Sequence, residues 1–289
     1  MSEAPQWSRR RFPGAASATA VVIAGGSTLA AGIPPRTTGP PVDHRFHPLA
    51  PVRILDSRPA TSVGAFSTPW AAGTARDVVV AGAAGVPAGA GAVVLNVMAT
   101  GTRSASFLKV WPTGAPKPAT SSLNWVPDQT VANSVTATVG AGCSVTVANS
   151  SGTVDVVVDV VGYYDDGPGG AGYTPHSPER LVDSRPGTTV GGFSTPWSAG
   201  TARDVAVAGV PAGADAVVLN VTATATTAAS HLTVWPAGAP KPVASSLNWA
   251  AGRTVANAVT TPLGSGGAVA VTSPAGGADV IVDVIGWYG

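Results

Sequence analysis

Asp155-Val156-Val157-Val158-Asp159-Val160-Val161-Gly162-Tyr163-Tyr164 decides the fold, and it is written twice, returning as Asp279-Val280-Ile281-Val282-Asp283-Val284-Ile285-Gly286-Trp287-Tyr288. A short run of β-branched residues bounded by glycine and polar residues predicts a strand. Here both faces are apolar, which predicts a central strand covered on both sides.

Working outward, the whole neighbourhood repeats. Leu55-Asp56-Ser57-Arg58-Pro59 returns as Val182-Asp183-Ser184-Arg185-Pro186, and Ser121-Ser122-Leu123-Asn124-Trp125 returns as Ser245-Ser246-Leu247-Asn248-Trp249. Residues 46–82 match 173–209 at 25 of 37 positions, and residues 86–164 match 210–288 at 48 of 79. A unit of this length is domain-sized, not the short unit of a solenoid. Each copy holds several further short Val- and Thr-rich runs separated by turn residues, and none holds a long helical period. The expected fold is therefore all-β: two tandem homologous domains, each a β-sandwich of jelly-roll type or a partly closed barrel.

The expected organisation has five parts. Residues 1–32 read as an export signal of twin-arginine type: Arg9-Arg10-Arg11, then a modest apolar run around Val21-Val22-Ile23, then small residues at Ala30-Ala31-Gly32. Residues 33–45 read as a proline-rich lead-in. The copies occupy 46–164 and 173–289. Residues 165–172, rich in Gly and Asp, read as a flexible linker. The expected location is secreted, with no membrane association once the signal is removed.

Composition excludes several classes. The chain has 289 residues, a formal net charge of +1 and only 11% charged residues, so it lacks the basic stripe of a nucleic-acid binder. One cysteine forms no intrachain disulfide and no cysteine-based zinc site. No nucleophile elbow, His-Glu-x-x-His or phosphate loop occurs, and none of the four histidines keeps its place between copies. No catalytic residue, cofactor or metal is therefore assigned.

Two residue sets merit attention. Asp159 and Asp283 sit inside apolar strands, where a carboxylate is costly unless paired. Arg58 and Arg76 in the first copy, with Arg185 and Arg203 in the second, are the candidate ion-pair partners; Arg53 and Arg180 are further cations within reach. A calcium site from Asp56, Asp77, Asp155 and Asp159 is the alternative. The second set is aromatic. Trp70, Trp111 and Trp125, with twins Trp197, Trp235 and Trp249, are either core residues or flat platforms for a sugar ring, with Asn124 and Asn248 as hydrogen-bonding neighbours. Lys117 and Lys241, each in Ala-Pro-Lys-Pro, are either solvated or available to an anionic polymer.

The repeated strings, including Val217-Val218-Leu219-Asn220-Val221-Thr222, Leu232-Thr233-Val234-Trp235-Pro236, Thr254-Val255-Ala256-Asn257 and 279–288, resemble a β-rich module of secreted actinobacterial proteins. The resemblance covers both copies. Such modules are commonly appended to exported hydrolases or peptidases, so it implies an extracellular accessory role and carries no catalytic residue onto this chain. The expected function is adhesion, without catalysis, to a cell-wall or environmental polysaccharide. A structural or protein-interaction module is the first alternative, and an accessory protein of a secreted hydrolase the second.

Overall fold

The computed structural model describes residues 44–289; the expected export signal and most of the lead-in lie outside the described residues. The first copy contributes β1 (Arg45–Asp56), β2 (Ala75–Val79), β3 (Ala92–Thr100), β4 (Ser106–Pro112), β5 (Leu123–Trp125), β6 (Val131–Thr138), β7 (Ser144–Asn149) and β8 (Asp155–Asp165). The second repeats them as β9 (Tyr173–Asp183), β10 (Ala202–Ala206), β11 (Ala216–Thr224), β12 (Ser230–Pro236), β13 (Leu247–Trp249), β14 (Val255–Pro262), β15 (Ala268–Thr272) and β16 (Asp279–Tyr288). Among the described residues the helical content is three single 3-10 turns.

Each copy folds into two four-stranded antiparallel sheets. The orders are β1-β8-β3-β6 and β2-β7-β4-β5, then β9-β16-β11-β14 and β10-β15-β12-β13. None closes into a barrel, so the sandwich reading is the one the chain adopts. The alternation of β3 shows why. Val93, Leu95, Val97 and Ala99 enter the core between the sheets, where they meet Val156, Val158 and Val160 of β8. Val94, Asn96 and Met98 point the other way. β8 and β16 are central strands, as their apolar runs predict, but only β8 is covered on both faces; Asp283 and Ile285 on the outer face of β16 are partly exposed.

The copies have separate cores, one around Trp70, Leu95 and Leu108 and one around Trp197, Leu219 and Leu232. A third apolar cluster draws on both: Phe46, Val94 and Val161 from the first copy, Ala171 from the connection, and Ala216 and Tyr288 from the second. The Tyr164 and Tyr288 hydroxyls meet at 2.7 Å.

The connection corrects the flexible-linker expectation. Ala171 is buried, and its N–H and C=O pair with Phe46 at 2.9 and 3.0 Å. Gly172 and Gly289 exchange bonds at 3.2 and 3.1 Å. Glycine composition suggested mobility, but these glycines let the backbone pass close to β1. A Cβ on Gly170 would sit 2.5 Å from the Arg45 Cβ.

Candidate functional site

The sandwich disposes of the tryptophans first. Trp70 and Trp197 are fully buried, and Trp111, Trp125, Trp235 and Trp249 are 4–8% exposed. Five of the six indole N–H groups donate to backbone carbonyls: Trp111 to Ala115, Trp125 to Ser104, Trp197 to Val271, Trp235 to Ala239 and Trp249 to Ala228, all at 3.0–3.1 Å. Four of them pin turns from inside, and Trp197 bonds into strand β15. None offers a ring face to a sugar, so the stacking-platform expectation is corrected. Arg76 and Arg203 belong to the same construction. Arg203 lies 4.4 Å over the Trp197 ring and donates to the Thr195 carbonyl, and Arg76 lies 5.2 Å over Trp70. Neither pairs with Asp159 or Asp283.

The aspartates are paired through Arg53 and Arg180 instead. Antiparallel register places Arg53 opposite Asp159, Asp159 opposite Asn96, and Asn96 opposite Ser134, a row across the outer face of β1-β8-β3-β6. Arg53 grips Asp159 with both prongs, Nε to Oδ1 at 2.9 Å and Nη2 to Oδ2 at 3.3 Å. Arg58 serves Asp56, with Nε to Oδ1 at 2.9 Å and Nη2 to Oδ2 at 2.7 Å, while Thr61 adds a hydroxyl at 3.0 Å.

The middle serine of Asp-Ser-Arg-Pro is also engaged. Ser57 donates to Asp155 at 3.0 Å and accepts from the Val156 N–H at 2.9 Å. The motif thus ties the end of β1 to the start of β8. Its second copy does the same through Arg180–Asp283, Arg185–Asp183 and Ser184–Asp279. Asp77, offered as a calcium ligand, lies on the other sheet from Asp155 and Asp159, where it accepts from Thr146 on the neighbouring strand β7. Among the described residues no group of three or more His, Cys, Asp or Glu is gathered to hold a metal.

The two clusters differ electrostatically. Burial pushes the Asp159 carboxyl above the usual carboxylate range, against the pull of Arg53. Burial acts upward on Asp56 too, but the side-chain and backbone hydrogen bonds from Arg58 and the Thr61 hydroxyl outweigh it and leave that carboxyl lowered. Asp183 is held well below the ordinary range, first by the Arg185 hydrogen bond. The cause is position. Asp159 is 1% exposed because the second copy covers this face of the first, whereas its twin Asp283 is only partly buried.

The cover is the corner of the second copy formed by β12, β13 and β14. Asn96 donates to the Ser245 carbonyl at 2.6 Å, and Asn257 donates to the Asn96 side-chain oxygen at 3.3 Å. The Ser134 N–H, on the edge strand β6, donates to the Asn257 side-chain oxygen at 3.2 Å.

Beside these bonds a groove of about 460 Å³ opens between the copies. Arg53, Arg58 and Met98 line one wall, and His231, Lys241 and Asn248 the other. Val243 stands 82% exposed on its rim. Burial, then Lys241 and Arg53, lower the His231 pKa, so that ring is neutral at neutral pH. The groove's negative partners, Asp56 and Asp159, are buried beneath their arginines. Lys241 and the outer edge of Arg58 therefore set the field that a visitor meets.

The structure thus assembles residues that sequence reading separated. Asn248 and Lys241 join Arg53 and Arg58, while Asn124 stays exposed outside the groove. His231, aligned with Phe107, carries no signal in the repeat, and Ser245 reads there only as part of the repeated Ser-Ser-Leu-Asn-Trp string. The one signal available was asymmetry: Met98 stands where the second copy has Thr222, an apolar residue only where the face is covered. Among known proteins, no family model matches the chain and no curated protein matches it. Among the described residues no helix is long and apolar enough to cross a membrane.

Proposed function

We propose that this chain is an extracellular, non-enzymatic binding module that adheres to an acidic polysaccharide through the groove between its two copies. The supporting observation is the groove's one-sided charge: Arg53, Arg58 and Lys241 line it, and the two carboxylates below are spent on arginine pairing. Carboxylate or phosphate groups on a wall or environmental glycan match that field, Asn248 supplies amide hydrogen bonding, and Val243 gives an apolar contact at the rim. The extracellular setting rests on the export pattern at residues 1–32.

The test is retention of the full chain on acidic and on neutral polysaccharide across a salt series. Retention on the acidic polymer should exceed that on the neutral one and fall with added salt. Lys241→Ala should lower it about three- to tenfold, a loss of roughly 1 kcal/mol, without moving the melting curve. Equal retention on both polymers, or none on either, would discard the reading.

A structural or protein-interaction role is favoured by a different observation, the burial of all six repeated indoles. Under that role, the chain would ignore glycans and bind protein alone.

A further inference from the structure

The junction between the copies is head-to-tail. The first copy contributes the outer face of its first sheet, centred on Asn96. The second contributes a different surface, centred on Ser245 and Asn257. A contact of unlike surfaces leaves one of each unused. The unused sheet face lies on the second copy, where Asn220 and Ile285 are half-exposed while their twins Asn96 and Val161 are buried; Val218, at its edge, packs against the cluster shared by both copies. The unused corner lies on the first copy, where Ser121, Asn124 and Asn133 are exposed while Ser245, Asn248 and Asn257 are buried.

The residues that make the junction's polar bonds are present on both unused surfaces. Asn220 repeats Asn96, Ser121 repeats Ser245, and Asn133 repeats Asn257. Asn133 is already set in the posture of its twin: it donates to the Ser122 carbonyl at 2.8 Å, as Asn257 does to Ser246 at 2.7 Å. The row that receives the corner is likewise repeated, with Arg180 opposite Asp283, Asp283 opposite Asn220, and Asn220 opposite Ala258.

From this we infer that the free sheet face around Asn220 docks the free corner around Asn133 of a second copy of this chain, extending the internal junction from molecule to molecule. Asn220 then donates to the Ser121 carbonyl of the neighbour, Asn133 of the neighbour donates to the Asn220 oxygen, and the Ala258 N–H donates to that Asn133.

Two features make the contact between chains weaker than the one within. The aromatic end of the junction is already occupied, since the Tyr288 hydroxyl bonds Tyr164. Lys109 stands where the corner of the second copy has Thr233, although its ammonium is tied back to the Pro118 and Ala119 carbonyls. The contact also lacks the covalent connection that raises effective concentration within one chain. None of these surfaces lines the charged groove, so self-association and glycan retention stand or fall separately.

Sedimentation velocity of the full chain across the micromolar to millimolar range tests it. The wild-type chain should form dimers and longer species as concentration rises. Asn220→Arg and Asn124→Arg, one on each unused surface, should each abolish them while keeping the wild-type melting curve. An equimolar mixture of the two variants should regain a dimer and stop there, because each variant retains one intact surface and the two are complementary. A monomer throughout the range, association untouched by either substitution, or a mixture that stays monomeric would overturn the proposal. So would variants that associate only among themselves, which marks a symmetric contact.

Discussion

Asp159 and Asp283 are the same residue in the same strand, gripped by equivalent arginines, and they sit in different solvents. Arg53 and Asp159 are 13% and 2% exposed at their side chains, whereas Arg180 is 40% and Asp283 15% exposed. An ion pair held away from water leaves an uncompensated charge when one member is removed; a pair open to water hands the survivor back to solvent. Asp159→Ala should therefore cost about 3 kcal/mol, and Asp283→Ala under about 1 kcal/mol. Denaturant titration of the two variants checks this, and equal losses would mean that the cover over Asp159 is energetically irrelevant. That aspartate inside an apolar strand needs a cation was legible from the sequence. The choice of cation was not. It depends on the register of β1 against β8, with an irregularity between Arg53 and Leu55 that turns Arg53 toward Asp159 and leaves Arg58 to Asp56. The tryptophans failed to read out for a related reason: an indole beside a turn suits a buried pin or an exposed platform, and the position of the carbonyl that accepts its N–H decides between them.

At the scale of the element, strands and their alternation were legible because apolar period and turn residues are local properties. What the strands do at their irregularities was less so. β8 shifts register against β3 between Val94 and Leu95, opposite Gly162. That glycine is needed for close approach: a Cβ there would lie 2.3 Å from the Phe46 ring and 2.8 Å from the His47 carbonyl oxygen. Phe46 is fully buried in the cluster shared by both copies and cannot swing away. Gly286, the twin, lies under Tyr173, a residue 49% exposed that can move aside by giving up a 3.2 Å bond to the Ile285 carbonyl and its tilted ring contact with Tyr288. Gly162→Ala should cost roughly 2–3 kcal/mol by overpacking, and Gly286→Ala roughly 1 kcal/mol or less. Melting curves of the two variants decide it; a Gly286→Ala penalty as large as that of Gly162→Ala would show that Tyr173 is held as firmly as Phe46. The connection at 165–172 belongs to this scale as well. Its composition is that of a linker, and only the approach of β1, which composition does not encode, turns Ala171 into a buried pairing residue.

For the whole molecule, duplication was fully legible and the junction was not, because the surfaces that meet inside the chain carry nearly the same residues as the surfaces that do not. Asn96 and Asn220 look alike in sequence, and only contact distinguishes them. The physical consequence is cooperativity. Each copy owns a core, so each could unfold alone; the junction is what couples them. Asn257 is the hinge of that coupling, since it bonds the Ser246 carbonyl within its own copy and both Asn96 and the Ser134 N–H across the junction. Its twin Asn133 reaches the Ser122 carbonyl within its copy and has no counterpart of the cross-copy bonds within the chain. Asn257→Ala should cost about 2–3 kcal/mol, because it leaves the buried Asn96 amide and an edge-strand N–H short of partners. It should also split one calorimetric transition into two, with the ratio of calorimetric to van't Hoff enthalpy rising above unity. Asn133→Ala should cost about 1 kcal/mol and leave the transition single. If both variants melt in one step with equal loss, the copies are coupled elsewhere, through Phe46, Ala171 and Tyr288, and the polar contacts follow that packing without contributing to the cooperativity.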